Sequence, residues 1–393
     1  MSATISTPSA GPGAPATAPG VKYSYAQNIT DRGILLSTGV PMETLLGTFG
    51  PYAMGQTAQI RLRNLGVTTG LEVRISATVT ITGGDTATAS PLAPWNLVAQ
   101  HVTLDYNTTQ RTFASGPMVY MWNSIRHSCP YLSAAQSAGA FPASPTIGVD
   151  TDQVLVPTSG TNTMELNVDI PFAVDAGQDL TGAILAQTVV GELFYKLTFA
   201  NSASGDAWNS PYTAVSGGGS VAISNIYVTV WQRYIQPQMP NIPLYDCNTV
   251  YEFAGLFQTQ NNVTTNGQTY VDYPNVRSVL GAYYGFLDNN ALAVNGTDIN
   301  AITLVANGNT RMREMDPLLI RKHMRMMLGG DLPASMYYMP SRRTPIQTWI
   351  YSQVQTLFNW ATITSSPAPA LYYGYESTYP LNTPLPGIVG ASS

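Results

Sequence analysis

The sequence predicts an all-β protein with two β-sandwich or barrel halves, each carrying one short helix between strands. Short segments alternate apolar and polar residues, and turns rich in Gly, Asn, Ser and Thr separate them. A proline-dense connector divides these segments into two series, and each series contains one helix-start motif. At 393 residues the chain is long enough for two domains.

The first residues of the chain differ from the rest in composition. Residues 1–20 are almost entirely Ala, Ser, Thr, Pro and Gly. Such a segment buries too little apolar surface to offset its ordering entropy, so we predict a mobile arm that orders only against a partner. At the other end, we assign residues 381–393 to a C-terminal tail.

The first half, residues 21–236, contains the clearest strand of the chain, "GLEVRISATVTIT" from Gly70 to Thr82. Its period of two predicts a strand with one buried face. The residues on that face are Leu71, Val73, Ile75, Ala77, Val79 and Ile81. "GELFYKLTFA" and "SNIYVTVWQRYI" alternate in the same way and predict two further strands.

A stiff connector is predicted at residues 237–243, where three prolines remove backbone donors. The second half, residues 244–380, resumes the strand pattern. The predicted strand segments are "TVYEFAGLFQTQ", "VRSVLGAYYGF", "ASMYYMP", "TWIYSQVQTLFNW" and "ALYYGYESTY". The Asn-Gly pairs in "TTNGQ" and "AVNGTD" suit tight hairpin turns between strands.

Two helix-start motifs correspond between the halves. In the first, Ser115 is a candidate N-cap, followed by Pro117. In the second, Asp316 is the candidate N-cap, Pro317 takes the first helical position, and Gly329–Gly330 is a stop signal. A sandwich with one helix between strands, used twice, explains this correspondence, so we predict an internal duplication.

Charged residues make up only 10% of the chain, against about 25% in a typical soluble protein. Two interpretations remain open: a surface covered by other copies or other proteins, or a secreted β-protein with a Ser/Thr/Asn surface. The net charge of −5 gives no support for nucleic-acid binding, which typically requires a basic domain. No apolar run reaches the length of a transmembrane helix.

The residues that usually perform catalysis are few. His101, His127 and His323 lack the spacing that places two imidazoles on one metal ion. We therefore predict no catalytic, cofactor-binding or metal-binding residues, and no enzymatic activity. Cys129 and Cys247 form no CxxC pair, which favours two free thiols, although the sequence leaves a disulfide between them open.

The second helix carries the most basic stretch of the chain. At about 100° per residue, Arg321, Lys322 and Arg325 share one outer arc with Leu318. The residues predicted to cover the rest of the helix, including its packed side, are Leu319, Ile320, Met324, Met326, Met327 and Leu328. Three interpretations of this basic arc are open. It is a solvated face, a contact with lipid headgroups or an acidic neighbour, or a site that reads nucleic acid. The third is the least favoured, because the aromatic residues that usually alternate with basic ones in such sites are missing here.

Several motifs resemble the major capsid proteins of tectiviruses, tailless icosahedral phages with a membrane beneath the protein shell. In the second half these are "GTDINAITLVANGNTRMREMDPLLIRKHMRMMLGGDLPASMYYM" and "SRRTPIQT". In the first half they are "PWNLVAQHVTLDYNTTQRT", "DLTGAILAQ" and "YVTVWQRYI". The resemblance is collinear from about residue 50 to about residue 375.

The resemblance implies a double jelly roll, that is, two eight-stranded jelly-roll sandwiches side by side. It also implies homotrimeric, pseudo-hexagonal capsomers that tile an icosahedral shell around an internal membrane and the genome. The implied partners are other copies of the chain, minor vertex proteins and the membrane, without sequence-specific nucleic acid. The implied location is the virion, assembled in the host cytoplasm.

On this basis Arg321, Lys322 and Arg325 are expected near the base of the shell, against lipid phosphate or a neighbouring capsomer. Two other function classes stay open from the residues alone. One is a receptor- or carbohydrate-binding β-sandwich spike protein, which requires a groove of stacked aromatic residues. The other is a β-rich hydrolase, which requires two convergent carboxylates in a cleft.

Overall fold

A computed structural model describes residues 33–380, with gaps at 91–92, 107–108, 111–112, 127–157, 186–191, 206–208, 238–248, 256–263, 276, 288–297, 309, 329–335, 342–343 and 364–369. The predicted N-terminal arm and C-terminal tail, most of the connector, Cys129 and Cys247 lie outside the described residues. The boundaries predicted for the two halves stay predictions.

The described residues form twenty strands and two helices whose ends are both described, together with a helical segment at residues 33–38 and three short 3-10 turns. The first-half strands are β1 (Val40–Tyr52), β2 (Thr57–Arg61), β3 (Val67–Ala89), β4 (Val98–Tyr106), β5 (Thr109–Gln110), β6 (Phe113–Ala114), β7 (Thr158–Pro171), β8 (Ile184–Leu185), β9 (Phe194–Phe199), β10 (Tyr212–Val215) and β11 (Ser220–Gln236). The second-half strands are β12 (Thr249–Gly255), β13 (Gln268–Asp272), β14 (Ser278–Leu287), β15 (Ile299–Ala306), β16 (Thr310–Met315), β17 (Met336–Pro340), β18 (Ile346–Gln347), β19 (Val354–Trp360) and β20 (Ala370–Pro380). The helices are α1 (Gly116–Arg126) and α2 (Pro317–Leu328).

The same strand order occurs in both halves. In the first, β1-β11-β3-β7 forms one antiparallel sheet and β2-β9-β4-β6 the other. In the second, the corresponding sheets are β12-β20-β14-β17 and β13-β19-β15-β16. Each half is therefore a jelly roll, with its helix between the fifth and sixth of its eight strand positions. The predicted double jelly roll, with one helix in each half, is confirmed.

The core follows the alternation that the sequence predicts. In β3, every residue of the predicted face from Leu71 to Ile81 is at most 2% exposed, while Glu72 and Arg74 on the opposite face are exposed. One cluster of buried apolar residues extends through both halves, from Ala58 to Tyr375. Among the helices that the structure describes, none is long and apolar enough to cross a membrane.

One prediction in the second half needs correction. The segment predicted as one strand from Thr348 to Trp360 forms a 3-10 turn at Thr348–Ile350, and its strand begins only at Val354. A further tight Asn-Gly hairpin, which the sequence analysis did not single out, joins β15 and β16 at Asn307–Gly308, where both φ angles are positive. "TTNGQ" does form a turn at Asn266, whereas the Asn-Gly pair of "AVNGTD" lies outside the described residues.

Both predicted helix N-caps are confirmed. The Ser115 hydroxyl accepts a hydrogen bond from the Met118 backbone N–H at 3.4 Å. The Asp316 carboxylate accepts one from the Leu318 N–H at 2.7 Å and one from the Leu319 N–H at 3.2 Å. Each cap satisfies N–H groups that have no partner within the helix, which fixes where the helix begins.

Candidate assembly surface

Helix α1 lies where the two halves meet. A Cβ atom at Gly116 would lie 1.8 Å from the Trp95 carbonyl oxygen, so only glycine fits this approach. Asn123 fixes the helix to β7, because its amide donates to the Asp169 carbonyl and accepts from the Asp169 N–H, both at 3.2 Å. On another side of the helix, the Trp122 indole N–H donates to the Tyr251 hydroxyl of β12 at 3.0 Å.

The backbone also joins the halves beside this helix. Ala254 and Gly255 of β12 pair in parallel with Phe113 and Ala114 of β6. A sheet of the second half thereby continues into a sheet of the first half. The contact is anchored by Trp122, which is 4% exposed.

Helix α2 packs on its own jelly roll by a narrower stripe than the sequence predicts. Ile320 and Met324 are each 2% exposed, which confirms that they face the core. Leu319 and Met326, also predicted for the packed part of the helix, are 42% and 74% exposed. That expectation was wrong for these two residues, because the packed side of the helix contains Ile320 and Met324, one helical turn apart, and does not include Leu319 or Met326. Leu318, which was predicted on the outer arc, is 70% exposed.

The predicted basic face divides into residues with different surroundings. Lys322 is exposed, whereas Arg321 is half-buried. Burial raises the pKa of Tyr337, and the nearby positive charge of Arg321 lowers that pKa in part. Arg321 therefore lies close to the second jelly roll, and the side chain of Arg325 lies outside the description.

The outer face of the first sheet is acidic. Arg233 of β11 forms an ion pair with Asp169 of β7. Burial and the charge of Asp169 raise the pKa of Glu72, Arg233 lowers it, and Glu43 of β1 raises it further. Three carboxylates thus lie around one guanidinium group. Sequence reasoning missed this cluster because its members come from four strands that are distant along the chain.

Buried polar residues lie inside the two sandwiches. The His101 imidazole Nδ1 is 2.8 Å from the Tyr195 hydroxyl, and complete burial lowers the pKa of His101 to about 3. The Tyr283 hydroxyl donates to the Glu376 carboxylate at 2.8 Å. Each of these groups bonds a partner within the core, where it supports the fold. In the described part of the chain, no three His, Cys, Asp or Glu residues are grouped to hold a metal ion.

The junction around Trp122 and Tyr251 was also missed, because 129 residues separate the two side chains. The duplication of the helix motif was the sequence feature that could have indicated this junction. A helix in each half implies two equivalent helix surfaces, and the surface of α1 contacts the second half of the same chain.

Comparison with known proteins identifies the family. A family model described as P3 major capsid protein N-terminal matches residues 37–236, and one described as P3 major capsid protein C-terminal matches residues 248–385. The chain is 27% identical over 369 residues to the major capsid protein P3 of Enterobacteria phage PRD1, covering 90% of this chain and 91% of that protein.

Solved structures share the fold at low sequence identity. The crystal structure of the STIV MCP matches with a TM-score of 0.62 and 13% identity, covering 90% of this chain and 100% of that one. A quasi-atomic model of the PBCV-1 virus capsid matches with a TM-score of 0.54 and 13% identity, covering 86% and 93%. Both are capsid proteins, and the resemblance to tectivirus coat proteins is confirmed by the relative from PRD1. This chain belongs to the family of P3 major capsid proteins.

Proposed function

We propose that this chain forms homotrimers of pseudo-hexagonal outline, which tile an icosahedral shell around an internal membrane and the genome. The observation that carries the proposal is the double jelly roll itself. Three copies of a chain with two similar halves place six similar sandwiches around one axis, so a trimer can occupy a site of sixfold outline. Membership of the P3 family makes the chain a capsid protein and hence part of the virion.

The mechanism in this proposal is self-association without bond chemistry. Burying neutral, aromatic-rich surface between copies removes apolar area from water, which stabilises the assembly. The low content of charged side chains supports this mechanism, because charged residues are depleted at the centre of protein interfaces. Minor vertex proteins are proposed as further partners, and the host cytoplasm as the place of assembly.

Size-exclusion chromatography with light scattering tests the trimer. The expected result is a particle with three times the mass of the chain that persists on dilution. A monodisperse monomer at high concentration would contradict the proposal. Electron microscopy of the purified particles then checks the pseudo-hexagonal outline.

We also propose that Arg321, Lys322 and Arg325 contact an anionic surface, either lipid phosphate of the internal membrane or a neighbouring copy. Co-sedimentation with vesicles of phosphatidylglycerol, compared with phosphatidylcholine vesicles, tests the lipid contact. A variant with glutamine at all three positions should lose any preference for the anionic vesicles. Equal binding of the wild-type protein and the variant to phosphatidylglycerol and phosphatidylcholine vesicles would contradict the proposed lipid contact.

A further inference from the structure

The turn between β18 and β19 holds two large apolar side chains in the solvent. Trp349 is 50% exposed and Ile350 is 62% exposed, although side chains of this kind are usually buried. The two residues are adjacent on the 3-10 turn at Thr348–Ile350, at one end of the second jelly roll. An exposed tryptophan beside an exposed isoleucine indicates a surface that a partner covers.

Hydrogen bonds fix this turn to the two neighbouring loops. The Thr348 hydroxyl accepts from the Arg277 N–H at 2.8 Å and donates to the Arg277 carbonyl at 3.1 Å. On the far side of the turn, the Asn307 side-chain oxygen accepts from the N–H and from the hydroxyl of Ser352, each at 2.9 Å. The fold therefore holds the two apolar side chains outward, and a partner that binds there orders little of the turn itself.

Strand β20 ends beside this turn. Ser278 of β14 pairs with Gln347 of β18 on one side and with Thr378 of β20 on the other. Both pairings are antiparallel, so β18 and β20 run in the same direction and leave the sheet at the same end. Two strand spacings, about 10 Å, separate these two strands. Trp349 lies two residues beyond Gln347. Pro380 lies two residues beyond Thr378, so the chain leaves β20 next to the exposed turn.

The C-terminal tail that follows Pro380 has a composition that suits an apolar surface. Residues 381–393, "LNTPLPGIVGASS", contain no charged side chain. The larger apolar residues of the tail are Leu381, Leu385, Ile388 and Val389. Pro384 and Pro386 favour an extended polyproline II conformation, which loses little entropy on binding and which aromatic side chains commonly recognise.

The tail is also long enough to reach the turn. Extended chain advances about 3.3 Å per residue, so Leu385, five residues beyond Pro380, can lie about 16 Å from it. That reach exceeds the separation of β18 and β20. A segment tethered this close has an effective concentration on the order of millimolar at the turn, which favours it over a second copy or a lipid surface.

We propose that residues 381–389 bind the turn at Thr348–Ile350 of the same chain. In this contact the Pro384–Pro386 segment packs against the Trp349 ring, and the apolar residues that follow cover Ile350. The contact removes an apolar patch from solvent and closes the second jelly roll at the end where β18 and β20 leave the sheet. The inference is independent of the proposed homotrimer, because it concerns one copy of the chain.

Hydroxyl-radical footprinting with mass spectrometry tests whether the tail covers Trp349. The full chain is compared with a variant that ends at Pro380, and circular dichroism checks that both fold. Removal of the tail should raise the oxidation rate of Trp349 several-fold. Tyr270, which is 43% exposed in the middle of β13, should react equally in both proteins. Equal oxidation of Trp349 with and without the tail would overturn the proposal.

Proteolysis gives the reciprocal measurement on the full chain. Trp349→Ala should speed thermolysin cleavage within residues 381–389 by about tenfold or more, in the range of interface hot spots. Tyr270→Ala is the matched control, because it removes an aromatic side chain of similar exposure. It should leave the cleavage rate unchanged. Cleavage of Trp349→Ala at the wild-type rate would contradict the contact.

A cross-link identifies which tail occupies the turn. Ile350→Cys and Leu385→Cys are combined in one chain and treated with a short bismaleimide, with the parent chain and each single variant as controls for the native cysteines. The expected product links the two peptides and has the mass of one chain. A linked product with the mass of two chains would assign the turn to a neighbouring copy. Protection of Trp349 by phosphatidylcholine vesicles, with no effect of the truncation, would assign it to lipid. Either result would overturn the proposal.

Discussion

Thr303 and Thr356 are both fully buried on neighbouring strands of the second jelly roll, but their hydroxyl groups differ in hydrogen bonding. The Thr356 hydroxyl lies 2.9 Å from the Tyr273 hydroxyl and 2.5 Å from that of Tyr284, and the two tyrosine hydroxyls are 2.5 Å apart. Three hydroxyls in a closed ring can each donate once and accept once. Among the residues that the structure describes, the Thr303 hydroxyl has no hydrogen-bond partner.

This difference gives a paired prediction. Thr356→Val should lower the free energy of unfolding by about 1–3 kcal/mol, because it removes one member of the buried ring. Thr303→Val should be neutral or stabilising, since no hydrogen bond is lost and the shape is kept. Urea denaturation of both variants measures the difference. Equal losses would show that the ring adds nothing beyond the burial of a hydroxyl.

His101 predicts a pH dependence. Burial lowers its pKa from 6.5 to about 3 in the folded protein. Between these values the unfolded chain binds a proton that the folded protein does not, so the free energy of unfolding falls as the pH falls. The slope from this residue is about 1.4 kcal/mol per pH unit.

Chemical denaturation at a series of pH values checks the slope, with His101→Asn as the comparison. The asparagine amide can still reach the Tyr195 hydroxyl but does not titrate. Carboxylates contribute to the pH dependence of both proteins, so the difference between the two curves isolates His101. If the free energy of unfolding of the wild-type protein and of His101→Asn changed in parallel from pH 6.5 to pH 3, the assignment of a neutral buried imidazole would be contradicted.

At the scale of elements, alternation and capping were readable from the sequence. The period of two in β3 predicted its buried face, and Asp316 predicted where α2 begins. Helix α2 was only partly predicted, because a helical wheel separates apolar from charged sides but does not tell how wide the packed stripe is. Leu319 and Met326 are apolar and nevertheless exposed.

The N-cap of α2 gives a direct test. Asp316→Ala should destabilise the protein by about 0.5–2 kcal/mol, because the N–H groups of Leu318 and Leu319 lose their acceptor. Asp316→Ser keeps a side-chain oxygen at the cap and should recover most of that loss. Thermal unfolding followed by circular dichroism compares the two. Equal destabilisation by alanine and serine would refute the capping role.

At the scale of the whole molecule, the two jelly rolls are coupled by the β6–β12 pairing and by the Trp122–Tyr251 hydrogen bond. We expect the wild-type halves to unfold together, so that tryptophan fluorescence and far-UV circular dichroism give coincident transitions. Trp122→Ala should lower stability by about 3–5 kcal/mol and separate the two transitions.

Trp349→Ala is the control, because Trp349 is 50% exposed on the turn at Thr348–Ile350. It should leave the transitions coincident. Two separate transitions in the wild-type protein would mean that the junction does not couple the halves.

The sequence by itself determined the all-β class, the duplication, the caps of both helices and the resemblance to coat proteins. These features depend on residues close together in the chain, where period and capping chemistry act locally. Only the tertiary structure decided that Trp122 of α1 is buried beside Tyr251 while Leu319 and Met326 of α2 are exposed. It also decided that Glu43, Glu72 and Asp169 form one acidic cluster. Those facts depend on which distant strands become neighbours, and such pairings leave no periodic trace in the chain.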